Sequence, residues 1–143
     1  MNNLAEQGNM PAILALEAAM RAMPQIESEP KHYRMNGVYV RELFIPAGTL
    51  LTGKIHNHES IGILAQGRLR ITNGTDSVIV EAPYVTVDKP GVKRLGYAET
   101  DCTFLCVHRT DSETLEEMEE ELVSETFEDY ERKTQHMLNE RSI

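Results

Sequence analysis

Two histidines separated by one residue, His56 and His58, stand in the segment GKIHNHESIGILAQG, which runs from Gly53 to Gly67 and ends on a turn glycine. On an extended strand the side chains of such a pair point the same way, with Cα atoms about 6.6 Å apart. Two imidazoles so placed can share one divalent transition metal at nitrogen-to-metal distances of about 2.0 to 2.1 Å, as zinc prefers. Two ligands do not make a site, so the remaining donors must come from elsewhere in the chain. Cysteine is a weak source. Cys102 and Cys106 would lie about 13 Å apart along one strand, beyond disulfide reach, and their apolar surroundings read as those of reduced, inert core thiols.

These side chains need a scaffold, and the 143 residues suffice for one domain with one core. Residues 11–22 repeat Ile13, Leu16 and Met20 at helical spacing behind Pro11, which predicts a short amphipathic helix. The two prolines of 24–30 predict an extended connector, so residues 1–31 form a helix-and-linker lead. Residues 32–110 read as a β-barrel of short strands at 37–45, 51–58, 61–65, 68–72, 77–82, 85–87, 92–97 and 102–110. Asn73-Gly74 is a hairpin turn, and the stretch 104–107, apolar on both faces, is a central strand. Residues 111–143 are expected to form a long acidic amphipathic helix, about 113–139, opened by the box Thr110-Asp-Ser-Glu113 and broken, if anywhere, near Val123-Ser124. Its apolar stripe includes Met118, Leu122, Met137 and Leu138.

Charge and motif content exclude several functions. The net charge of −9 belongs wholly to residues 111–143, where twelve acids stand against three bases, and the body before them is neutral. No basic surface is available for a nucleic-acid backbone. Phosphate-loop, dinucleotide and G-x-S-x-G hydrolase motifs are missing. No stretch has the ~20 apolar residues of a membrane span, and the first residues lack the basic start of a signal peptide. The expectation is a soluble, cytoplasmic protein with no membrane partner. His32 and His136 are expected to face solvent.

The order Pro46-Ala-Gly48, His56-Asn-His58, Gly67 and Lys89-Pro-Gly-Val-Lys-Arg94 resembles the two motifs of the cupin superfamily, the RmlC-like jelly rolls, over residues 38–109. The resemblance implies a mainly β fold, a single double-stranded β-helix. It also implies a metal held by H-x-H and a glutamate of the first motif and a histidine of the second. Here the glutamate position falls on Gly62 or Ile63, and the second-motif histidine falls on Arg94, which has no lone pair to give a cation. Residues 15–121 further resemble small cupin-like proteins of tailed bacteriophages, through Gly53-Lys-Ile-His56, Pro90-Gly-Val-Lys-Arg94, Gly96-Tyr-Ala98 and Cys106-Val-His108.

In a jelly roll the inward residues converge on one cavity, which gives His56, His58 and His108 as metal ligands and Arg94, Tyr97 and Glu42 as ligand-binding residues, with Tyr39 at the margin. Three histidines plus water would leave an open position, and Arg94 would grip a small carboxylate or phosphate. Two functions stay open. One is a metal-dependent pocket protein for a small anionic molecule, with oxygenation, isomerisation and hydrolysis all within its range. The other is a metal-free accessory protein that sequesters a ligand or binds a host protein through its acidic helix, in the host cytoplasm if phage-encoded. A homodimer is expected, because edge strands otherwise expose unpaired backbone groups.

Overall fold

The strand Arg68–Thr72 buries Leu69 and Ile71 and leaves Arg68 and Arg70 in solvent, the two-residue alternation of a sheet with one wet face. The structure is a computed structural model that describes residues 9–26 and 28–141, with side chains as far as Gln135. Its elements, in chain order, are α1 (Met10–Arg21), β1 (Lys31–Met35), β2 (Val38–Ile45), β3 (Leu50–Thr52), β4 (Ile55–His56), β5 (Ser60–Gln66), β6 (Arg68–Thr72), β7 (Ser77–Glu81), β8 (Tyr84–Asp88), β9 (Leu95–Ala98), β10 (Cys102–Arg109), α2 (Leu115–Leu122), β11 (Val123–Ser124) and α3 (Phe127–Arg141). The side chains of His136, Met137 and Leu138, and the first eight residues, lie outside the described part.

Two antiparallel sheets face each other. One has the order β1-β2-β10-β5-β8 and the other β3-β9-β6-β7, while β4 pairs with β11 at one end. Between them sits a core of Ile45, Leu64, Leu69, Ile71, Val80, Ala98 and Cys102. Strand β10 lies in the middle of the larger sheet, as its two apolar faces predict. Both cysteines are free.

The smaller sheet carries α1 on its outer side. Thr52 lies opposite Leu95, on the face away from the core residues Leu69 and Ala98, and its hydroxyl donates to Glu17 Oε2 at 2.7 Å. Ile13 is fully buried in this contact region, worth about 1.5 to 3 kcal/mol of hydrophobic stabilisation. Lys93 is buried beside Glu17 with a 2.6 Å ion pair. Burial works against the Glu17 carboxylate, but hydrogen bonds from Lys93 and Thr52 outweigh it and hold its pKa below the ordinary range.

Three expectations are corrected. Strand β1 follows the connector in a stretch where the sequence predicts no strand, since all five of its residues are exposed and leave no hydropathy signal. The predicted strand 51–58 breaks at Gly53-Lys54 and ends at His56. The predicted long helix is two helices around a short strand. Val123 takes an extended conformation (φ −135°, ψ 157°) and pairs with His56. Thr114, not Thr110, caps α2, its hydroxyl accepting from Glu117 N at 3.1 Å. Thr110 is retained by the sheet through Thr110 N to Gly37 O, so the helix must start later.

Candidate metal centre

Strand alternation on β10 turns Cys106 and His108 to the inner face, where each has its own row of neighbours. The row His32, Arg41, Cys106, Gly62, Thr86 crosses all five strands of the larger sheet, and His108 lies beside Tyr39 in the next row. His56 approaches from β4. The ligand atoms of His56, Cys106 and His108 all lie within 4.8 Å of one another, and the two imidazoles meet edge to face with centroids 5.1 Å apart. A tetrahedral zinc with bonds of about 2.0 to 2.3 Å needs donors about 3.3 to 3.6 Å apart, so closure asks a shortening of no more than about 1.5 Å between any two donors. The residues fit a metal.

The protonation of the two imidazoles suits the same purpose. Burial, then the fields of Arg94 and Arg41, push the His56 imidazole down to about 4. Burial, then His56 and Arg41, do the same for His108, again to about 4. Both rings are neutral at pH 7, as metal ligation requires. His56 Nδ1 lies 2.8 Å from Ser60 Oγ; in the tautomer whose Nδ1–H donates to that hydroxyl, Nε2 carries the free lone pair. Burial, and then Asp88, raise the Cys106 thiol to about 11.

Positive charge predominates around the cluster. Arg94, just before β9, donates to the Asp88 carboxylate through a short contact, and Arg41 adds a second guanidinium whose field reaches both imidazoles. Gly62, one of the two positions where the resemblance would put a glutamate, has no space for a side chain. A Cβ there would come within 2.9 Å of Phe104 and 3.0 Å of Asp88 Oδ2. The carboxylate at this spot is thus supplied by β8 instead of β5.

His56 is held by the chain's C-terminal segment. Besides its pairing with Val123, its carbonyl accepts from Gly91 N at 2.9 Å. The next residue, Asn57, is buried as a peg: its amide bonds Leu122 O at 2.8 Å, its Nδ2 bonds Glu121 O at 3.0 Å, and its Oδ1 accepts from Ser124 Oγ at 2.6 Å. Met118 and Leu122 of α2 pack on Tyr39, which stacks on His108.

Of the residues singled out from sequence, His56 and His108 meet in the cluster and Arg94 stands near it. His58 lies in the bend after β4, half-buried, outside the three-donor group. Tyr97 and Glu42 are corrected. Gly96 and Ala98 lie opposite Ile71 and Leu69, so Tyr97 turns to the outer side of the smaller sheet with Arg70 and Leu50. Glu42 faces away from Arg41 and binds Lys31 at 3.8 Å. His32, on the exposed β1, reaches Tyr39 Oη with Nδ1 at 2.7 Å. Cys106, Arg41 and Asp88 are functional candidates that sequence reasoning missed. The C-x-H spacing at 106–108 was a signal for the first, since it alternates like H-x-H.

No protein-family model matches the chain, and no curated protein matches it in sequence. Solved structures do resemble it. A cupin superfamily protein of Desulfitobacterium hafniense is 10% identical, covering 66% of this chain and 87% of its own, with a TM-score of 0.51. Ectoine synthase of P. lautus is 15% identical, covering 61% of this chain and 67% of its own, also at 0.51. At such identities the likeness speaks for architecture alone, and together with the two facing antiparallel sheets it gives this chain the cupin fold.

Proposed function

We propose that this chain is a cupin-type pocket protein that holds a divalent transition metal with His56 and His108 and takes a small anionic molecule beside it. The observation that carries the reading is the convergence of His56, Cys106 and His108, all within 4.8 Å, on the inner side of the fold. Such an ion would supply Lewis acidity at an open coordination position. Arg94 and Arg41 favour an anion, because two guanidiniums there face the single carboxylate of Asp88. A ligand carboxylate or phosphate would compete with Asp88 for Arg94.

Elemental analysis of freshly purified protein tests the metal. About one ion per chain is expected, lost in His56→Ala; less than ~0.1 per chain in both would reject the metal and leave a metal-free pocket protein. For the anion, Arg94→Gln should weaken binding of inorganic phosphate at least about tenfold in calorimetry.

The homodimer reading has support in the outer face of the larger sheet. One row across it reads Tyr33, Val40, Val107, Ile61, Val87, apolar on all five strands. A second copy would cover these side chains, and light scattering at ~32 kDa rather than the 16.2 kDa of one chain checks it. The resemblance to small phage proteins favours the host cytoplasm as the setting. None of the helices described is long and apolar enough to cross a membrane.

A further inference from the structure

The two cysteines occupy different environments. Cys102 is fully buried in the core, its thiol within 3.3 Å of Arg68 O and of Thr100 O. Cys106 is not among the buried residues of that core; it is half-buried and shares one inner strand face with His108, its sulfur facing two imidazole rings. Gly62 on one flank contributes no side chain, and Arg41 lies on the other. Packing alone gives no reason for a sulfur at the point where two neutral imidazoles converge.

We infer that Cys106 is a metal ligand, bound as thiolate, and that the resulting two-nitrogen, one-sulfur set makes the site selective for a thiophilic ion, zinc foremost, over oxygen-seeking magnesium, calcium and manganese. The inference rests on the metal reading above and narrows it. Imidazole suits zinc, copper, iron and nickel alike, whereas a thiolate shifts the choice toward zinc and copper(I). Magnesium and calcium take oxygen donors, which this set of three does not offer. On ligation the S–H bond breaks, the sulfur lone pair goes to the metal and the proton leaves to solvent; no electron changes owner. The C-x-H pair of β10 thus takes the role that an H-x-H pair would fill, with His56 as the third donor.

Cobalt(II) titrated into the full chain reads the sulfur directly, because a thiolate on cobalt adds an intense near-ultraviolet charge-transfer band to the visible ligand-field bands. The band is expected in the wild type and in Cys102→Ser, and absent in Cys106→Ser, whose cobalt affinity falls at least about 100-fold, beyond what outer-shell changes cost. Zinc should displace the cobalt, and manganese should not. Cobalt bound with visible bands only, at equal affinity in the wild type and Cys106→Ser, would overturn the thiolate while leaving the metal site intact. No binding of cobalt or zinc to the wild type would overturn both. Because Cys102→Ser leaves Cys106 as the remaining thiol, its spectrum assigns the band even if Cys106→Ser fails to fold.

Discussion

The candidate donors come from two very different anchors. Cys106 and His108 stand on β10, flanked on both sides by strands of a five-stranded sheet. His56 stands on the two-residue β4, whose ladder partner is the two-residue β11. A central strand opens only with the whole fold, whereas a short terminal ladder opens locally at lower cost. Two of the three candidate donors are therefore built into the barrel, and the third is held by a strap from the C-terminal segment.

Deleting residues 123–143 should separate these halves most sharply. Metal affinity is expected to fall at least about 100-fold while the β-sheet circular dichroism persists; unchanged affinity would show that β4 needs no strap. Acid comes next and strikes both halves. Between the ordinary histidine value of 6.5 and the folded value of about 4, the unfolded chain takes up protons that folded His56 and His108 refuse. The contribution of these two rings to the stability of the metal-free protein should thus be full above pH 6.5, fall toward pH 4 and level off below. Thermal melts of the wild type and of His108→Gln, in which the slope shrinks, check this.

Leu64→Ala empties a fully buried position in the core shared by both sheets and should cost about 2 to 5 kcal/mol in urea unfolding. Asn57→Ala unpairs Ser124 and Glu121 O and should cost about 1 to 3 kcal/mol, with faster amide exchange at His56 and Val123 but not on β10. If β10 exchanged as fast, the two anchors would be one cooperative unit. The smallest effect belongs to Tyr39→Phe, which removes the hydroxyl bonded to His32 at about 0.5 to 1.5 kcal/mol, with metal affinity nearly unchanged.

Residues with a local pattern were legible in the sequence. The alternation of Arg68–Thr72 gave its strand and the apolar run of 104–107 its central place. His56 marked the right corner of the fold. The loop after β6 holds the predicted turn, with Asn73 Oδ1 accepting from the amides of Thr75 and Asp76. What failed depended on distant partners. The break in the C-terminal helix falls at Val123-Ser124, where the sequence allows one, but only the pairing with β4 makes it a strand. Cys106 reads as one apolar residue among four until two imidazoles face it. Asp88 reads as a turn acid, although its carboxylate lies in space that Gly62 leaves free. Asn36-Gly37, another Asn-Gly turn, could have announced β1.

The loop between β8 and β9 is contacted from both ends of the chain. Glu17 of α1 grips Lys93, while Tyr130 of α3 lies against Gly91, so close that an added Cβ would sit 2.8 Å from its hydroxyl. Gly91 in turn bonds His56. Synthesis runs from the amino end, and domains acquire structure as they emerge. Helix α1 therefore waits more than seventy residues for Lys93, and the corner around His56 waits for Tyr130. On the ribosome the strands of the two sheets therefore precede the corner around His56, which is complete only once Tyr130 has been made.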